Sequence, residues 1–263
     1  MLDYDNKIAF RSLVFLLFFP TSFFYGAIYA DSLYLCLSLA SFYTARKSNW
    51  LLAGIFGYFA GLTRLVGIFL FPVLVLEWYL EKKIKYQKLN IENLLRDFFK
   101  EKVFFLFLIP LAIVSYGIYL QINFNDFLLF QKAMAGWNQE HIVFPPQVLY
   151  RYIKIFLFSQ WNFTYFVAVV EFVSTIFYLL LSLYVAKRVR ISYGVLMFLT
   201  LLLPIFTGTL QSMPRYILHI FPAFIALSLL TIRSKKLFWA TIGIFLVLQC
   251  VFVALFTRGY FIA

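Results

Sequence analysis

The sequence predicts an all-α fold, a polytopic bundle of transmembrane helices edged by interfacial amphipathic helices. Three observations predict the membrane bundle. Hydrophobic residues make up 63% of the chain and charged residues 13%, where soluble domains average about 45–50% and about 25%. Apolar stretches recur from end to end, separated by short charged clusters. Aromatic residues reach 22%, with tyrosines and tryptophans available for the two membrane–water interfaces.

Nine apolar segments read as spans: 10–28, 31–45, 49–63, 65–80, 103–121, 163–186, 191–209, 216–232 and 237–256. The second to fourth are short for a bilayer that needs about 20 apolar residues. The first begins with Arg11, an apolar run and the small residues of GAIYA, a pattern shared with cleavable signal peptides. The two acids of MLDYDNK and the charge pattern of the later loops favour an uncleaved span.

Charge distribution sets the orientation. With alternate loops on one side, most of the 23 basic residues collect there, leaving Arg64, Lys132, Arg151, Lys154, Arg215 and Arg258 on the other. Basic residues concentrate in cytoplasmic loops, so the amino terminus lies inside and the carboxy terminus outside. Topology and anionic lipid thus account for the net charge of +12, and a nucleic-acid partner is unnecessary. The compact loops point to a bacterial plasma membrane; in a eukaryotic cell the corresponding compartment is the endoplasmic reticulum.

The chain reads as one membrane-embedded domain, 1–263, with two notable loops. Residues 81–102 form a cytoplasmic amphipathic loop, in which Ile91, Leu94, Leu95, Phe98 and Phe99 recur at helical spacing and suit an anchor on the inner surface. Residues 122–162 form a long outer loop. There DFLLFQKAMAGW and VLYRYIKIFLF read as interfacial helices separated at Pro145 and Pro146. Between them Glu140 and His141 are adjacent, in either a solvated turn or a substrate contact. Asn162 opens an Asn-Phe-Thr sequon, which carries little weight at a membrane edge. Cys36 and Cys250 lie in apolar runs far apart and read as small hydrophobes.

The polar residues at the outer ends of the spans carry the chemistry. Asp31 opens the second span, Arg64 sits in GLTRLVG, and QSMPRYILHIF supplies Arg215, Tyr216 and His219. Arg215 and His219, four apart, share one helical face. A carboxylate can act as a general base or hold a divalent cation, and arginine forks bind phosphate oxygens. The set suits a lipid phosphate whose tail stays in the bilayer; internal pairing of Asp31 with Arg64 or Arg215 is the structural alternative. Asp31 is the only metal ligand this reading offers, and no cofactor is required by it.

FPTSFFYGAIYADSLYLCLSLASFY, WLLAGIFGYFAGLTRLVGIFLFPVLVLEW and MPRYILHIFPAFIAL together resemble the mannosyltransferases that add the second mannose of the glycosylphosphatidylinositol anchor, and their bacterial relatives, within the GT-C superfamily. The resemblance implies a glycosyltransferase moving a sugar, mannose in the family, from a polyprenyl-phosphate donor to a lipid or glycan acceptor at the outer or luminal face. It implies that Asp31, at the family's acidic position where Glu is more usual, is catalytic, positioning the acceptor or a metal. It matches Arg64 to a threonine-arginine segment and Pro214, Arg215 and Tyr216 to a proline-arginine-tyrosine motif, the arginines binding donor phosphate. Full members carry an earlier span and an acidic outer loop ahead of the segment matched by 19–43. Here only MLDYDNKIAFRSLV and the start of the first apolar run precede it, which implies a missing amino-terminal portion or a membrane-protein partner that supplies it. A non-catalytic subunit and a lipid or glycan transporter are the competing classes.

Overall fold

Helix ends follow local chemistry in the computed structural model, which describes residues 4–86, 90–137 and 143–260. Among these there are α and 3-10 helices and no strand. Helix α1 (Asn6–Leu17) stops ahead of Pro20, and a 3-10 turn, Ser22–Tyr25, follows. Proline lacks an amide hydrogen and disfavours helix at the residue before it. The span expected at 10–28 is therefore helical only in its first part. Helix α2 (Asp31–Arg46) is followed by a tight reversal with Ser48 at φ 57°. Helix α3 (Trp50–Thr63) starts where the Asn49 side chain accepts the Leu52 amide at 3.2 Å, a standard cap.

A 3-10 turn, Leu65–Phe69, leads into α4 (Leu70–Lys85), and α5 (Ile91–Lys100) is joined through Val103–Phe107, also 3-10, to α6 (Leu108–Phe124). The short α7 (Leu129–Ala133) and α8 (Pro145–Phe158) follow. Pro145 and Pro146 stand at the first positions of α8, where a missing amide leaves no bond unmade. Helix α9 (Phe163–Arg188) is capped by Asn162, and α10 (Ile191–Phe206) follows. The span expected at 216–232 is two pieces, α11 (Met213–Ile217) and α12 (Phe221–Thr231), the second opening at Pro222. The last helix, α13 (Lys235–Thr257), is capped by Ser234.

Three segments are long and apolar enough to cross a membrane: Val103–Phe124, Phe163–Arg188 and Lys235–Thr257. Helices α3, α10 and α12 are apolar but shorter.

The contacts divide the chain into two units, Met1–Asp31 with Ala135–Ala263, and Ser32–Met134. In the second, α3 packs against α6 and the turn before it through a row of small residues. A Cβ at Gly54 would stand 2.2 Å from the Phe105 carbonyl oxygen, and one at Gly61 would stand 2.8 Å from the Ala112 Cβ. Hydrogen at these positions lets the backbones touch, the way helices associate where water supplies no hydrophobic drive. In the first unit, aromatic edges fill the interior: Phe15 meets Phe238 and Phe245, and Phe19 meets Tyr178, Phe224 and Phe245. Arg11 donates to the Thr231 carbonyl at 2.8 Å and covers the Phe238 ring. Thr21 donates to the Pro214 carbonyl at 3.0 Å and Tyr25 to that of Leu218 at 2.7 Å.

Helix α5 is amphipathic, as its periodicity predicts, but its apolar residues divide between two directions. Phe98 lies against Trp78, while Ile91, Leu95 and Phe99 are exposed. Asp97 points inward, accepting from the Tyr86 hydroxyl at 2.7 Å and facing the Lys82 ammonium at 3.7 Å. Lys82 also donates to Glu101, which accepts the Trp78 indole N–H at 3.0 Å. The Tyr86 hydrogen bond first, then the Lys82 charge, hold the Asp97 carboxyl below its ordinary range. A depressed carboxylate stabilises fully above its unfolded value, about 3.9, and stops doing so as pH falls through the lower folded value. Docking of α5 is thus expected to persist at neutral pH and to loosen only below about pH 4. Trp78 emission, followed with the other tryptophans replaced by phenylalanine, should report a transition that shrinks in Asp97→Asn; an unchanged acid transition in that variant would remove Asp97 from the clamp.

Candidate functional site

One end of the first unit is organised by a sequence of breaks. Helix α1 ends early, residues 26–30 run without helix, and Asp31 then opens α2. On the other side, Ser212 adopts φ 63° and starts α11, which carries Pro214, Arg215 and Tyr216. The amides of Arg215 and Tyr216 both return to the Ser212 carbonyl, at 2.9 and 3.1 Å. Although α11 ends at Ile217, the succeeding turn keeps His219 on the same side as Arg215.

These pieces meet at Asp31. Its Oδ2 accepts Arg215 Nη2 at 2.8 Å, and its Oδ1 accepts Arg215 Nε at 3.3 Å and His219 Nε2 at 2.8 Å. An ionised carboxylate only accepts, so His219 carries its proton on Nε2. Asp31 is fully buried, His219 nearly so, and the Arg215 side chain is 15% exposed. The Arg215 guanidinium lies 4.0 Å from the centre of the Tyr29 ring and 4.4 Å from that of Phe24. The two rings hold the cation by cation–π contact, and the carboxylate takes two of its donors. Nη1 has no hydrogen-bond partner among the described residues. The Tyr216 ring meets His219 edge-on, with centroids 6.2 Å apart.

Of the residues singled out from sequence, Asp31, Arg215, Tyr216 and His219 therefore come together. The pairing of Asp31 with Arg215, the structural alternative considered for this carboxylate, is present. Arg64 closes α3 in the second unit, its amide returning to the Ala60 carbonyl at 3.1 Å. Glu140 and His141 lie outside the described residues. Among the described residues no three His, Cys, Asp or Glu side chains gather as a metal-binding set.

Sequence reasoning missed Glu171. It is buried inside α9, where its Oε2 accepts the Tyr152 hydroxyl at 2.7 Å and its Oε1 accepts the Ser212 amide at 3.3 Å. The same Tyr152 oxygen accepts the Leu210 amide at 3.1 Å, and Arg151 donates to the Gly208 carbonyl at 2.9 Å. Helix α8 and Glu171 thereby hold the turn that presents Arg215. The available signal was a lone carboxylate inside a long apolar helix, costly unless it is satisfied or used.

No protein-family model matches the chain, and no curated protein or solved structure shows significant similarity to it.

Proposed function

We propose that the chain is a multi-pass membrane protein of GT-C type, in which Arg215 receives the phosphate of a polyprenyl-phosphate sugar, mannose by resemblance, for transfer to a lipid or glycan acceptor. The observation that carries this reading is the open edge of Arg215. The guanidinium is oriented by Asp31, lies against the Phe24 and Tyr29 rings, and retains one nitrogen without a partner among the described residues. In the transfer an acceptor oxygen forms a bond to the anomeric carbon while the bond from that carbon to the phosphate oxygen breaks, and polyprenyl phosphate leaves with the electron pair. Arg215 meets the charge that grows on this phosphate. Asp31 acts as a positioning group, and the acceptor proton passes to solvent water. Tyr216 and His219, beside Arg215, are further substrate contacts in this reading.

One observation favours a second reading. Both Asp31 oxygens are occupied, which suits a subunit or transporter that holds the phosphate lipid without cleaving it. Purified protein in nanodiscs, given polyprenyl phosphate and labelled polyprenyl-phosphate mannose, separates the two. Binding is expected to weaken about 10- to 150-fold in Arg215→Gln, the loss of about 1.5–3 kcal/mol for a charge-assisted hydrogen bond, with a smaller loss in Arg215→Lys. Binding with sugar transfer supports the enzyme; binding alone supports the second reading; the absence of both overturns the assignment.

A further inference from the structure

The cytoplasmic-side helix α5 offers a surface that neither reading uses. Asp97 and Glu101, the acids that would repel an anionic surface, turn toward α4, where Lys82, Tyr86 and Trp78 satisfy them. Lys82 is spent entirely on this task and is buried. Outward, Ile91, Leu95 and Phe99 follow one another every four residues and are 75%, 56% and 64% exposed. Ile84, at the end of α4, is 84% exposed. Around them Lys83, Lys85, Arg96, Lys100 and Lys102 are exposed, against only Glu81 and Glu92 among exposed acids of the same stretch.

Position supplies the remaining argument. The apolar segment Val103–Phe124, long enough to cross a bilayer, begins three residues beyond the end of α5 at Lys100. A helix tied so closely to the mouth of a span lies at the level of the headgroups. We infer that α5 is a docking surface for an anionic phospholipid leaflet, its apolar row entering the acyl boundary and its lysines meeting lipid phosphates. The internal clamp of Lys82 with Asp97 and Glu101 makes the surface selective: it removes two negative charges from the lipid side and sets the rotation of the helix. Each exposed cation near an anionic surface contributes about 1 kcal/mol, or roughly a fivefold preference.

This inference rests on the membrane reading, so the test first confirms that the full chain resists carbonate extraction from liposomes. A protein that is extracted would remove the membrane reading itself. With Cys36 and Cys250, both exposed, replaced by serine, single cysteines at positions 91, 92, 95, 96 and 99 carry an environment-sensitive fluorophore. In phosphatidylcholine liposomes with one quarter phosphatidylglycerol, labels at 91, 95 and 99 are expected to be quenched by brominated lipid and those at 92 and 96 much less. Brominated phosphatidylglycerol should quench several-fold more than brominated phosphatidylcholine at equal mole fraction, and Lys83→Gln with Lys85→Gln and Lys100→Gln should abolish the difference. Water-exposed labels at 91, 95 and 99 in a carbonate-resistant protein would overturn the inference and turn attention to a protein partner. Equal quenching by the two lipids would overturn the anionic selectivity.

Discussion

Replacing Asp31 by Asn is expected to destabilise the first unit by about 3–5 kcal/mol, the usual cost of removing one partner from a buried ion pair. Asparagine keeps the shape of the side chain but leaves the Arg215 guanidinium, 15% exposed, without its counter-charge. His219 also loses a charged acceptor at 2.8 Å. Arg215→Gln made in the Asp31→Asn background should recover part of the loss, because the uncompensated cation goes with it. Unfolding free energies in mixed detergent, measured for the two single variants and the double, give the coupling directly. Additive losses would show that the pair contributes little beyond packing. The comparison also limits what activity data can say: a transfer assay on Asp31→Asn is informative only alongside its stability, whereas Arg215→Lys preserves the charge and isolates the fork.

Gly54→Val is expected to be similarly damaging, for a steric reason. Even the first added carbon would meet the Phe105 carbonyl oxygen at 2.2 Å and its carbon at 2.9 Å, and backbone cannot rotate aside as a side chain can. Overpacking of this kind costs about 1–3 kcal/mol and sometimes more, and the branched valine extends the clash. Gly57→Ala should cost less, since its nearest neighbour is the flexible tip of Ile109. Gly243, with nothing within 4 Å of an added Cβ, is the control: Gly243→Ala in α13 is expected to be neutral or stabilising by up to about 1 kcal/mol through helix propensity. Thermal denaturation of the four proteins in one detergent ranks them, and equal stability of Gly54→Val and Gly243→Ala would refute the close contact.

The all-helical class was legible because composition alone leaves few ways to satisfy so apolar a backbone. Three helix starts carry local signals that the hydropathy reading did not use: the caps Asn49 and Asn162, and Pro145 at the first position of α8. The breaks were harder. Pro20 and Pro222 were visible, yet hydropathy averages across them and returns one long span where the chain makes separate pieces. In α5 the sequence showed one apolar face, but Leu94 and Phe98 lie about a third of a turn from Leu95 and Phe99, enough for Asp97 to draw the first pair inward. For the candidate site, the shared side of Arg215 and His219 followed from their spacing. Their meeting with Asp31 did not, because no local signal joins residues so far apart in the chain. Glu171 escaped notice for the same reason: its partners, Tyr152 and Ser212, are supplied by other segments.

The glycine contact has a consequence for the order of assembly. Gly54 touches a backbone made about fifty residues later, so α3 emerges from the ribosome well before the surface it fits. Until Phe105, Ile109 and Ala112 have been synthesised, Gly54 and Gly61 lack the surface they fit. That interval leaves a row of small residues open to whichever helix arrives first.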